Sequence, residues 1–192
     1  MKNLIVVLSG PSGAGKGSVY KKISQMSNRT VRFVSMTTRK QRVGEVPGFD
    51  YDYVTVEEFK EREAQGYFLE TDFYDGNYYG TPKISNIEEL GKDVFFDLNA
   101  NGAMRIKEAY PEAILIYILP PNLERLKKQL GNRGKARLDL AKAEVPLALE
   151  YEWLVINDDL DRAASEILRI MDVIRKSRMQ NSENQSFVKR FY

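Results

Sequence analysis

Along this chain, short continuous apolar runs alternate with stretches whose apolar residues recur every three or four positions. The continuous runs predict strands at 3–9, 31–35, 93–98, 113–119 and 153–156. The helical spacing predicts helices at 15–26, 56–65, 83–90, 100–109, 122–131, 136–149 and 159–177. Val94-Phe95-Phe96, Ile114-Leu115-Ile116-Tyr117-Ile118-Leu119 and Leu154-Val155-Ile156 show no polar alternation, as strands buried on both faces do. Strand–helix alternation of this kind predicts an α/β fold, a parallel sheet flanked by helices in three layers. Thr55-Val-Glu-Glu58 reads as a capping box opening the helix at 56, and Asn122 as an N-cap. Leu160, Ala163, Ala164, Ile167, Leu168, Met171 and Ile174 share one face of the last helix.

Two segments interrupt the alternation. Residues 36–82 mix charged and aromatic side chains with β-like pieces around 51–54, 67–74 and 78–79, and read as an insert able to move as a unit. Residues 131–150 are charged and helical in pattern. Beyond Arg178 the run Met-Gln-Asn-Ser-Glu-Asn-Gln-Ser is polar, which predicts a poorly ordered tail at 179–192 and a single domain at 1–178.

Directly after the first apolar run stands Gly10-Pro-Ser12-Gly13-Ala14-Gly15-Lys16-Gly17-Ser18. Strand, glycine-rich loop and helix in that order are the P-loop pattern. Glycines let the backbone curl and aim several N–H groups at one point, and the helix opening near Lys16 adds the positive end of its dipole. Lys16 can reach the outer phosphates of a nucleotide. Gly17 occupies the position where a hydroxyl residue usually follows the lysine; the hydroxyl comes one residue later, at Ser18, as a less direct contact for magnesium.

Composition narrows the chemistry further. There is no Cys and no His, which excludes thiolate nucleophiles, disulfides, imidazole catalysis and zinc held by either. Phosphoryl transfer survives that filter, because it rests on positioning, magnesium and Arg or Lys charge. The net charge is +2, from 29 basic and 27 acidic residues, which argues against a nucleic-acid partner. No apolar stretch is long enough to span a membrane, so the expectation is a cytoplasmic protein of 192 residues with no membrane partner.

A second set of motifs follows the P-loop: Ser35-Met-Thr-Thr-Arg39-Lys-Gln-Arg42 with Val-Gly-Glu45, then Gly48-Phe-Asp-Tyr51, Phe68-Leu-Glu70 and Gly76-Asn-Tyr-Tyr79-Gly-Thr81. Arg39 and Arg42 can converge on one phosphate, for which guanidinium forks are well shaped. Tyr51 and Tyr79 can each offer it a hydroxyl. Glu70 is a carboxylate in apolar and aromatic surroundings, able to accept the paired N1–H and 2-amino donors that guanine has and adenine lacks. Asp97 ends a buried strand, where a carboxylate beside a P-loop can hold magnesium or its waters.

Together these motifs closely resemble the guanylate kinase family, from the first strand to Asn157-Asp-Asp-Leu-Asp-Arg162. The resemblance implies phosphoryl transfer from ATP·Mg²⁺ to GMP, with two small-molecule substrates and an oligomeric state left open. It implies that Gly10, Ser12, Gly13, Ala14, Gly15, Lys16, Gly17, Ser18 and Asn157 hold ATP. Ser35, Glu70 and Thr81 would read guanine, while Arg39, Arg42, Tyr51 and Tyr79 would hold the GMP phosphate, with Asp97 nearby. Lys16, Arg42, Arg133 and Arg137 would stabilise the transferring group, and Ser18 and Asp97 would serve the metal. Two departures bear on turnover. Asn99 stands where the family has a carboxylate. The lid that opens at Arg133-Gly134 is shorter than the family's by about two helical turns, and Pro146 falls where its helix would run on. These departures keep two rivals in play: a guanylate-kinase-like module that binds nucleotide or protein with weak turnover, and a kinase for a related phosphate acceptor.

Overall fold

The computed structural model describes residues 3–83, 90–130 and 135–188. Its first strand, β1 (Ile5–Ser9), is buried at every position. It is the middle strand of a parallel sheet with β2 (Thr30–Arg32), β7 (Asp93–Asp97), β8 (Ile114–Leu119) and β9 (Trp153–Ile156), ordered β2-β7-β1-β8-β9. Successive side chains leave a strand on opposite faces. Leu4, Val6 and Leu8 therefore meet Val19, Tyr20 and Ile23 of α1 (Lys16–Met26) and Ala163, Ile167 and Met171 of α6 (Leu160–Val188). Ile5 and Val7 meet Ala103 and Ile106 of α3 (Ala100–Ala109) on the other side. Helices on both faces explain the unbroken apolar runs. The strand order reverses at β1, and a crevice opens there at the carboxyl ends of the strands.

The insert forms a second sheet, β4-β3-β6-β5, from β3 (Met36–Thr37), β4 (Asp52–Tyr53), β5 (Phe68–Tyr74) and β6 (Asn77–Pro82). It covers one small core of Met36, Phe59 and Phe68, with Tyr78 stacked on Phe59 at 5.5 Å. Phe59 comes from α2 (Val56–Ala64), whose capping box forms as the sequence predicts, with the Glu58 N–H donating to Thr55 Oγ1 and the Thr55 N–H to Glu58. Asp75 and Gly76 turn the β5–β6 hairpin with φ of 51° and 76°, the left-handed pair that matches strand twist.

Three expectations are corrected. The helix expected over 136–149 ends early: α5 (Lys135–Glu144) gives way to a 3-10 turn at Val145–Glu150, because Pro146 cannot donate to a continuing helix. The tail expected to be poorly ordered continues α6 to Val188. Residues 179–188 contain no Gly or Pro, and a helix already anchored by its first turns extends without a new nucleation cost. A short strand, Met36–Thr37, stands where no strand was expected. The helix expected at 83–90 falls largely at 84–89, outside the described residues. Between β8 and α5 lies α4 (Leu123–Leu130), whose Leu126 and Leu130 pack with Ala141.

Candidate functional site

The loop from Gly10 to Gly15 leaves β1 and turns into α1. Its shape depends on two glycines in particular. Gly10 has φ +138°, and a Cβ there would sit 2.2 Å from the Ile118 carbonyl oxygen. Gly15 caps α1 in the left-handed region and offers no side-chain acceptor to the first-turn N–H groups. The Lys16 ammonium folds over the loop and donates to the Gly10 carbonyl at 2.7 Å, with Asp97 Oδ1 4.0 Å away. A glycine-rich turn that opens a helix, with an ammonium beside it, can seat an oxyanion.

Across the crevice the insert presents a second basic cluster. Arg39 is nine-tenths buried and bidentate to Glu45, at 2.9 and 3.1 Å. Glu45 also accepts from the Arg42 N–H at 2.8 Å and from the Tyr53 hydroxyl at 2.7 Å. Burial pushes the Glu45 carboxyl up, but these donors outweigh it and hold it down at about 2. The Arg39 guanidinium lies over the Tyr51 ring at 5.3 Å, and Tyr51 meets Tyr79 edge-on at 5.9 Å. Burial and the Asp97 charge push the Tyr51 phenol up, so it remains a neutral hydroxyl donor.

One cleft of about 290 Å³ joins the two clusters; Gly10, Lys16, Ser35, Arg39, Arg42, Tyr51, Glu70 and Tyr79 all line it. Glu70 is held by its neighbours. Thr81 Oγ1 donates to Glu70 Oε1 at 2.5 Å, and Ser35 Oγ lies 3.4 Å from the same hydroxyl. The arrangement offers two anion seats facing each other and a carboxylate acceptor beside the second.

The family model described as guanylate kinase matches residues 2–174. The chain belongs to the guanylate kinase family. Guanylate kinase from Lactococcus lactis is 42% identical over 180 residues, spanning 89% of this chain and 88% of that one. Guanylate kinase from Streptococcus pneumoniae is 41% identical over 181 residues, spanning 89% and 87%. Among solved structures, guanylate kinase from Anaplasma phagocytophilum superposes with a TM-score of 0.76 at 30% identity, covering 90% of this chain and 86% of that one.

Within the guanylate kinase fold, not every residue expected at the site reaches the cleft. Ser12, Gly13, Gly15 and Gly17 line it; Ala14 is buried in the core beneath the loop. Asn157 braces that loop from behind: it is buried, and its amide donates to the Ala14 carbonyl at 2.8 Å. Thr81 is fully buried behind Glu70 and Ser35, one layer back from the cleft. Of the two residues expected to serve magnesium, Asp97 lines the cleft, whereas Ser18 is exposed and outside the lining. The chain at Gly17 faces Asp97 instead, where an added Cβ would lie 3.9 Å from the carboxylate. Asn99 lines the cleft and caps α3, accepting from the Gly102 N–H at 2.9 Å. Arg133 lies outside the described residues, and only the backbone of Arg137 is described, in α5.

Several lining residues carried no expected role: Arg32, Asp50, Asp72, Tyr74 and Glu144. Glu45 stood inside a quoted motif without one. Arg32 had a visible signal, a charge set between Val31 and Phe33 in an apolar run. It donates to Asp97 at 3.0 Å and Asp50 at 3.3 Å, which ties the parallel sheet to the insert. The others announce nothing locally, because acidic and tyrosine residues in a polar insert are usually solvated.

Proposed function

We propose that the protein catalyses ATP + GMP → ADP + GDP, with ATP on the P-loop and GMP against the insert. The observation that carries this reading is that Arg39, Arg42 and Glu70 line one cleft with Lys16. A nucleotide triphosphate on the loop and a monophosphate on the arginine cluster would bring donor and acceptor phosphates face to face. An oxygen of the GMP phosphate attacks the γ-phosphorus, the bond between the γ-phosphorus and the bridging oxygen breaks, and ADP leaves with the electron pair. The attacking oxygen is already anionic, so no general base is required, in keeping with a chain that has no His.

Lys16 and Arg42 would balance charge on the transferring group, joined by Arg133 and Arg137 from the 131–150 segment. Tyr51, Tyr79 and Arg39 would orient the acceptor phosphate, and Ser35 and Glu70 the base. Of the expected metal contacts the fit is partial. Asp97, at the end of β7 and shared with Arg32, suits a magnesium ion carried in on the phosphates with its own waters. Magnesium held there would neutralise phosphate charge as the bridging bond breaks. Closure of the insert over the loop would exclude water, so that the phosphoryl group reaches GMP rather than solvent.

The test is steady-state ADP formation from ATP·Mg²⁺ with GMP, against AMP, UMP and dGMP as acceptors. We expect GMP-dependent turnover that falls at least about 1,000-fold in Lys16→Ala. GMP binding by calorimetry with no ADP formed would overturn the kinase reading and leave a nucleotide-binding module.

A further inference from the structure

Asp72 has no assigned role, yet it lines the cleft on the same face of β5 as Glu70, two residues along the strand. Its Oδ2 accepts a short hydrogen bond from the Asn99 side-chain amide. Asn99 is itself locked, since its Oδ1 caps α3 by accepting from the Gly102 N–H at 2.9 Å. The amide can point only away from the helix, and there it meets Asp72. The loss of a carboxylate expected from Asn99 is therefore not what the cleft shows. A carboxylate is present beside Glu70, contributed by β5 and oriented by Asn99.

Glu70 is similarly confined. Thr81 donates to its Oε1 at 2.5 Å, and its Oε2 lies 3.4 Å from where a Gly102 Cβ would stand. Burial pushes the Glu70 carboxyl up, the Thr81 hydroxyl pulls it down, and the Asp72 charge pushes it up again. Two neighbouring carboxylates facing a cleft suit a neutral ligand edge rich in N–H donors. The guanine edge carries three hydrogens, one on N1 and two on the 2-amino group. A single carboxylate can take two of them side by side; the third points onward to a further acceptor.

On the proposed GMP reading, we infer that Asp72 is a specificity-determining residue that accepts the outer hydrogen of the guanine 2-amino group, with Asn99 as its positioning residue. The ligand that discriminates is inosine monophosphate, which keeps N1–H and the 6-oxo group but lacks the 2-amino group. Asp72→Asn preserves shape and a partner for Asn99 while removing the acceptor charge.

The experiment measures kcat/KM for GMP and for inosine monophosphate in the unmodified chain and in Asp72→Asn, with Asp72→Ser as second variant should the first lose its cooperative thermal transition. The expected result is a fall of about 10- to 100-fold with GMP, the worth of one hydrogen bond to a charged acceptor, and little change with inosine monophosphate. Equal falls with both substrates would overturn the inference and leave Asp72 as a brace for Glu70 and α3. No change with either would overturn it as well. If the unmodified chain fails to phosphorylate GMP at all, the kinase reading falls and this inference with it, an outcome distinguishable before any variant is made.

Discussion

Glu45 puts a negative charge beside the seat proposed for an anion, and its hydrogen bonds explain why. Four donors from three residues converge on it, two from Arg39 and one each from the Arg42 backbone and Tyr53, so it fixes the loop that carries both arginines. Its carboxyl is held down from 4.5 to about 2, and a depressed carboxylate stabilises the fold above its unfolded value. That contribution is present at neutral pH and lost as pH falls from about 4.5 towards 2. Urea unfolding at pH 7 and pH 3 should show Glu45→Gln less stable at pH 7 by about 1–3 kcal/mol and less sensitive to acid; parallel acid losses in both proteins would refute this. The same scale shows what a motif conceals. Thr81 and Asn157 stand in motif order as site residues, yet their hydrogen bonds run to Glu70 and to the P-loop backbone. A side chain one layer behind a site and one within it have the same sequence signature.

Element boundaries follow local chemistry closely where that chemistry is strong. The capping box at Thr55, the proline at 146 and the glycines of the first loop each act within a turn of themselves. The end of α6 is the exception, since polar composition alone cannot tell a solvated helix from a solvated coil. Residues 179–186 are exposed along the helix, and among the described residues of α6 the core packing ends at Ile174. Ending the chain at Arg178 should therefore leave kcat and KM unchanged and lower the thermal midpoint by no more than a few degrees. A collapse of activity in that truncation would mean the last turns touch something that burial alone does not reveal.

At the scale of the molecule a buried cation helps to couple the two sheets, beside the Asn99–Asp72 hydrogen bond. Arg32 is only 5% exposed at its side chain and bridges Asp97 of the parallel sheet to Asp50 of the insert. Replacing it by Met leaves two carboxylates facing each other across the cleft. Breaking a buried pair in this way costs about 3–5 kcal/mol. Arg32→Met should show that loss in urea unfolding, together with faster limited proteolysis within residues 36–82 than elsewhere. Uniform acceleration along the chain would argue against Arg32 as a coupling between the two bodies.

By itself the sequence determined the strand–helix alternation, the P-loop and the second set of motifs, because each depends on residues near one another in the chain. Burial on both faces writes an unbroken apolar run, and a phosphate loop needs its glycines within a few positions. Tertiary structure decided which polar residues meet. Arg32 lies 65 residues from Asp97, and Asn99 lies 27 from Asp72, so no local pattern records either pairing. It also decided that Ser18 turns outward while Asp97 turns in, since the helix phase and the strand end are set by packing against the core. Electrostatic partnership is a property of distance in space, and only the folded chain supplies that distance.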